Sequence, residues 1–143
     1  MTTIAWDGEQ LCADSLITSE KKENISNPKI RKIKGMLVAG CGNLSSLLDF
    51  FTNLKNSSSL KEAVEISNWK EIQVIVISNN KCYVIDDDCS EFLQVKGCYA
   101  IGSGGDFAKG AMDAGATARQ AVRIAANNDP KTGGRIRALK IVV

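Results

Sequence analysis

Histidine is absent from this 143-residue chain, and that omission narrows its chemistry more than any motif does. Without imidazole there is no Ser-His-Asp or Cys-His activation of a nucleophile, no histidine-ligated metal and no imidazole general base. If the chain is an enzyme, its proton acceptor has to be a carboxylate, a lysine or its own terminal amine. Also missing is any CxxC spacing among the five cysteines, Cys12, Cys41, Cys82, Cys89 and Cys98. An odd, scattered set in a chain without an export signal reads as reduced, mostly buried thiols rather than a disulfide or zinc scaffold. No apolar run approaches the ~18–20 residues of a membrane span, and the N-terminal MTTIAWDGEQ lacks a charged segment followed by an apolar block. A soluble, unexported, cytoplasmic protein with no membrane partner is expected.

Charge of one sign is scarce as well: 18 Lys+Arg against 16 Asp+Glu leave a formal +2. The basic stretch Lys21, Lys22, Lys29, Arg31, Lys32 and Lys34 has no interleaved aromatic residue, so a nucleic-acid surface is not expected. Asp86-Asp87-Asp88 lacks the glycine and terminal glutamate of a calcium loop. Gly102-Ser103-Gly104-Gly105-Asp106 lacks both the GxxxxGK[ST] and the GxGxxG spacing of phosphate-binding loops. No metal and no cofactor is therefore expected.

The length is that of one domain, spanning 1–143, and with 44% apolar and 24% charged residues the composition is globular. Two short apolar runs at 2–6 and 10–14 flank Asp7-Gly8, a hairpin signal, and a second hairpin is expected at 29–33 and 36–40 around Lys34-Gly35. Leu44, Leu47, Leu48, Phe51 and Leu54 then form a helical stripe with Asn43 as N-cap. Ser59 with Glu62 reads as a capping box opening a shorter helix. The run 72–77 is apolar on both faces, as for a central strand, and turns through Asn79-Asn80 into 81–85. One further strand is expected over 92–101. A helix with a thin apolar face of Phe107, Ala111, Met112 and Ala114 follows, then one capped by Thr117 and Gln120. The segment Asp129-Pro130-Lys131-Thr132-Gly133-Gly134 breaks that helix before a closing strand at 136–143. Hairpins separated by paired helices predict antiparallel sheets with helices on their outer faces, an α+β fold.

Thr2 follows the first methionine, and a small second residue favours methionine removal. A freed Thr2 would carry its own base, because a terminal amine has a pKa of ~7.7–8.0 and can take the hydroxyl proton directly or through one water. Asp14 ends the second strand and Lys29 begins the third. A lysine beside Thr2, kept ionised by that carboxylate, would depress the pKa of both the amine and the hydroxyl. Ala39-Gly40-Cys41-Gly42-Asn43 runs from strand to helix through glycines, a geometry that suits an oxyanion-binding N–H or a tight turn. Asp129 and Thr132 would orient an amine or cap the helix before them.

Together these residues resemble the proteasome β-type, HslV-like family of N-terminal nucleophile hydrolases, whose members are threonine peptidases. Thr2-Thr3-Ile4 resembles the mature terminus, Ala13-Asp14-Ser15-Leu16-Ile17-Thr18 the Ala-Asp-Thr/Ser-x-x-Thr segment, and Lys29-Ile30 the Lys-Ile pair. Val38-Ala39-Gly40 is similar to the oxyanion strand, Ala100-Ile101-Gly102-Ser103-Gly104-Gly105 to the HslV-like Ala-Ile-Gly-Ser-Gly-Gly, and the segment from Asp129 to Gly134 to an Asp-x-x-Ser-Gly-Gly. The resemblance implies a four-layer αββα sandwich. It implies Thr2 as nucleophile and base, Lys29 tuning it, Asp14 holding Lys29, and Ser103, Asp129 and Thr132 orienting the amine. It makes the Gly40 N–H the oxyanion donor, Thr18 a backbone partner of substrate, and Val38 with Gly42 the shapers of a pocket for a medium apolar side chain. Homo-oligomeric stacked rings, an AAA+ ATPase unfoldase and an unfolded polypeptide substrate are the implied partners. At 143 residues the chain is short for the family, with abbreviated helices between Gly105 and Asn128. The alternative is a catalytically inactive, ring-forming scaffold that retains Met1.

Overall fold

The computed structural model describes residues 2–16, 29–86 and 92–140. Thr18, the polar stretch at 19–28, Asp87, Asp88, Cys89 and the last three residues of the expected closing strand lie outside the described residues.

Strand β1 (Thr3–Trp6) and strand β2 (Gln10–Ala13) form the first hairpin, with the Asp7 carboxylate accepting from the N–H groups of Glu9 and Gln10 at 2.9 and 2.8 Å. Strands β3 (Ile30–Ile33) and β4 (Met36–Gly42) form the second, turned by Lys34 and Gly35, both at positive φ as a type I′ turn requires. Helix α1 (Leu44–Asn56) begins where Asn43 accepts from the Ser46 N–H at 3.0 Å. Helix α2 (Leu60–Ile66) is capped by Ser59, but its box is incomplete: Glu62 reaches Ser58, not the cap residue. Strands β5 (Ile72–Ser78) and β6 (Lys81–Asp86) join through Asn79-Asn80, again both at positive φ.

The single strand expected over 92–101 is two. Strand β7 (Leu93–Val95) pairs with β6, whereas β8 (Tyr99–Gly102), beyond a bend at Gly97, pairs with β1 in the other sheet. Helix α3 (Gly105–Asp113) buries Gly105, Ala108 and Met112, with Ala111 packed beside them, so the expected face holds at Ala111 and Met112, whereas Phe107, at 47% exposure, and Ala114 lie outside it. Helix α4 (Ala118–Asn128) carries the complete Thr117–Gln120 capping box, and β9 (Arg137–Lys140) closes against β2.

The described residues thus form an α+β fold of four helices and two antiparallel sheets, ordered β8-β1-β2-β9 and β3-β4-β5-β6-β7. Three apolar clusters bind the elements together. One lies between the sheets, with Ile4, Trp6, Leu11 and Ile101 meeting Leu37, Ala39, Ile75 and Ile77. A second joins the β4–β6 strands to α1 and α2 through Val38, Val74, Val76, Leu47, Phe50 and Phe51. The third joins β1 and β2 to α3 and α4 through Ala5, Cys12, Ala108, Ala121 and Ala125, where small residues let the helices lie close. Because β4 and β5 have a cluster on each face, they read as continuous apolar runs rather than as alternation.

Gly40 sits in the second of these interfaces. It is buried, and a Cβ there would run into the Leu47 side chain of α1 and stand 3.2 Å from the Gln73 carbonyl oxygen and 3.1 Å from Val74. Gly40→Ala should therefore lower the free energy of unfolding by about 1–3 kcal/mol through overpacking. Paired with Leu47→Ala, which opens the facing volume, its cost should fall below the sum of the two single losses in urea denaturation. A strictly additive pair would show that Leu47 is not what requires the glycine.

Candidate active site

The starts of β1, β3 and α3 and the turn after α4 converge where β1 begins. Hydrogen bonding fixes Thr2 there: it is 1% exposed, with its hydroxyl donating to Asp14 Oδ1 and accepting from Lys29 Nζ at 2.5 Å. Lys29 Nζ also donates to Asp14 Oδ1 at 3.0 Å and to the Leu16 carbonyl at 2.6 Å. Asp14 is fully buried at the end of β2, and its remaining bonds come from backbone: Thr3 N–H to Oδ1 at 3.1 Å and Gly133 N–H to Oδ2 at 3.0 Å. A buried carboxylate without partners would cost several kcal/mol, and here both oxygens are occupied and an ammonium sits against it. Burial pushes Lys29 below its ordinary pKa, with Asp14 recovering part of the shift.

A second hydrogen-bonded chain lies on the α3–α4 side. Asp129 Oδ2 accepts from Ser103 Oγ at 2.5 Å and from Thr132 Oγ1 at 2.6 Å, while Oδ1 accepts from the Lys131 N–H at 3.1 Å. The bonds from Ser103 and then Thr132 hold the Asp129 carboxyl below the usual carboxylate range. Thr132 Oγ1 also contacts Thr3 Oγ1 at 2.7 Å. Gly102, paired with Thr3 at φ +97°, approaches the Thr2 carbonyl so closely that any side chain would collide with it. The glycine brings Ser103 up to the start of β1.

No family model matches this sequence, and no curated protein matches it either. Solved structures do. BPH from Thiobacillus denitrificans in complex with epoxomicin aligns with 99% of this chain and 99% of its own, at a TM-score of 0.76 and 19% identity. A second structure of that BPH gives the same TM-score at 17% identity, covering 99% and 98%. HslV from Trypanosoma brucei aligns at a TM-score of 0.70 and 23% identity, covering 97% of this chain and 98% of that one. The chain has an HslV-like fold.

The alignments cover 98–99% of these neighbours' own chains. Within that fold Thr2, Asp14 and Lys29 stand together, and Ser103, Asp129 and Thr132 stand together beside them. Asp14 was expected to act only through Lys29, yet it also touches Thr2 directly.

Two expected roles require correction. The Gly40 N–H donates to the Lys29 carbonyl oxygen at 2.9 Å, so it serves the sheet and is not free to receive an oxyanion. Val38 is fully buried under α1, with no surface for a substrate side chain, whereas Gly42 is exposed at the end of β4. Thr18 is outside the described residues. Cys41, beside the expected oxyanion glycine, is buried with its thiol pushed up to about 12, so it is a protonated, inert thiol at neutral pH.

Sequence reasoning missed Thr3, the Leu16 carbonyl and the Gly133 N–H. The two backbone groups carry no residue signal, and Thr3 reads as an ordinary strand residue.

Lys29→Met removes the cation from a buried carboxylate and should destabilise the fold by about 3–5 kcal/mol in urea denaturation. In the wild type, ¹³Cε-lysine NMR should show Lys29 titrating below 10.5. Between that depressed folded value and 10.5 the unfolded chain binds more protons, so this group makes stability rise with pH across the window. A Lys29 titrating at or above 10.5 would contradict the burial argument.

Proposed function

We propose that this chain is a threonine-type endopeptidase, a hydrolase in which Thr2 becomes the nucleophile once Met1 is removed. The observation that carries this reading is the Lys29 ammonium 2.5 Å from Thr2 Oγ1, with both groups on the buried Asp14 carboxylate. A hydroxyl in such a place is activated by neighbouring charge rather than by imidazole, which the sequence does not contain.

In the proposed reaction Thr2 Oγ attacks a peptide carbonyl and its proton passes to the freed α-amine, directly or through one water. Breaking the C–N bond sends that proton to the departing amine and leaves an ester on Thr2. A water, deprotonated by the same α-amine, then hydrolyses the ester and restores the hydroxyl. Lys29 stabilises negative charge on Oγ and favours the neutral form of the amine. Ser103, Asp129 and Thr132 hold the amine and its water.

The same reading extends to the whole chain as a single domain stacked as a four-layer αββα sandwich, which the three apolar clusters support. It extends to cytoplasmic homo-oligomeric rings fed with unfolded polypeptide by an AAA+ ATPase, on the strength of the HslV-like resemblance. Compartments of this kind keep a nucleophile without histidine away from folded proteins.

Purified protein whose mass shows loss of Met1 should cleave a small fluorogenic peptide, and Thr2→Ala should lower kcat/KM by on the order of 10³-fold or more. Epoxomicin, held by the Thiobacillus denitrificans neighbour, should inhibit that cleavage. Material retaining Met1 should be silent. Unchanged turnover in Thr2→Ala would exclude the mechanism.

A further inference from the structure

Thr3 belongs to neither group of expected site residues, yet it touches both. Its N–H donates to Asp14 Oδ1 at 3.1 Å, the oxygen that also takes Thr2 Oγ1 and Lys29 Nζ, and its carbonyl accepts from the Asp14 N–H at 3.2 Å. On the opposite side of the strand its hydroxyl meets Thr132 Oγ1 at 2.7 Å. The side chain is fully enclosed, and Gly104 has no Cβ because one would collide with Thr3 Oγ1 and come within 2.9 Å of Thr132 Oγ1. The contact therefore has a seat built for it.

Proton accounting fixes its direction. The Asp129 carboxylate can only accept, so the single proton of the Thr132 hydroxyl goes to Asp129 Oδ2 at 2.6 Å. In the Thr3–Thr132 contact Thr3 must then donate. The chain runs Thr3 to Thr132 to Asp129, and Ser103 Oγ donates to the same carboxylate oxygen at 2.5 Å. Without the Thr3 donor, Thr132 keeps an unsatisfied acceptor in a closed space and is freed to rotate off Asp129.

We propose that Thr3 is a positioning residue for Thr2, its N–H and hydroxyl locking the Asp14–Lys29 pair and the Ser103–Asp129–Thr132 chain into one register around the nucleophile. This rests on the reading of Thr2 as nucleophile. A peptide bond separates the two threonines, so whatever fixes the Thr3 backbone and hydroxyl fixes the direction from which Thr2 faces both networks. Misplacement of a reacting group lowers turnover rather than substrate affinity.

The test uses processed full-length protein and the fluorogenic peptide, with kcat and KM measured alongside urea unfolding for Thr3→Val, Thr3→Ala, Thr3→Ser and Thr132→Val. Thr3→Val and the smaller Thr3→Ala should each lose about five- to tenfold in kcat at unchanged KM, and Thr3→Ser should return to within about twofold of wild type. Thr3→Val combined with Thr132→Val should be no slower than the slower single variant, since both break one chain. The proposal is overturned if Thr3→Ala and Thr3→Val turn over at the wild-type rate with only their unfolding midpoints lowered. It is equally overturned if Thr3→Ser is as slow as Thr3→Val, or if the double loss is the product of the single ones. Thr2→Ala separates the two levels: turnover surviving in Thr2→Ala removes the nucleophile reading itself, whereas a silent Thr2→Ala beside wild-type Thr3 variants removes only this inference.

Discussion

A carboxylate sealed inside a protein has to be paid for with partners, and Asp14 has them from every direction: an ammonium, a hydroxyl and two backbone N–H groups. That constraint organises the rest of the site. Lys29 must reach inward from the start of β3 although its own burial disfavours the charged form. The turn after α4 must bring Gly133 to within 3.0 Å of Asp14, and the same turn carries Thr132 and Asp129. Thr2 lies where these demands meet, so a small hydroxyl side chain ends up between a cation and an anion with almost no exposure.

The fold provides the rigidity that such an arrangement needs. The partners of Asp14 come from three separate places, the start of β1, the start of β3 and the turn after α4. Apolar clusters anchor the strands involved: β1 and β2 pack on the other sheet and on α3 and α4, β3 and β4 on the other sheet and on α1. Glycines act at the points of closest approach. Gly102 lets Ser103 draw near Thr2, Gly104 makes room for two threonine hydroxyls, and Gly40 lets Leu47 seat α1 on the sheet. The last of these is a packing role, and it explains a glycine that the sequence alone offered equally as an oxyanion donor.

Much of this was legible beforehand. Asn43, Ser59 and Thr117 marked their helices because a capping side chain is a local device, and Lys34-Gly35 and Asn79-Asn80 marked hairpins because few residues tolerate positive φ. The break between β7 and β8 was not legible: apolar character does not say which sheet a strand joins, and β7 pairs with β6 whereas β8 pairs with β1. The inward stripe of α3 was found at Ala111 and Met112 but wrongly extended to Phe107, because a reading weighted by size favours the phenylalanine, whereas the first turn of the helix packs inward through Gly105 and Ala108. At the site, the proximity of Thr2, Asp14 and Lys29 came from resemblance, since no spacing rule links residues on three strands. Thr3 and the Leu16 and Gly133 backbone groups stayed hidden because their part depends on three-dimensional placement alone.

The proposed chemistry requires a covalent event at residue 2. The most direct measurement is mass spectrometry of processed protein quenched during turnover of an activated acyl ester and then digested. The peptide beginning at Thr2 should carry the acyl group and should lose it when turnover is allowed to finish. An acyl group found on Cys41 or any other residue, or sustained turnover with Thr2 never modified, would contradict it.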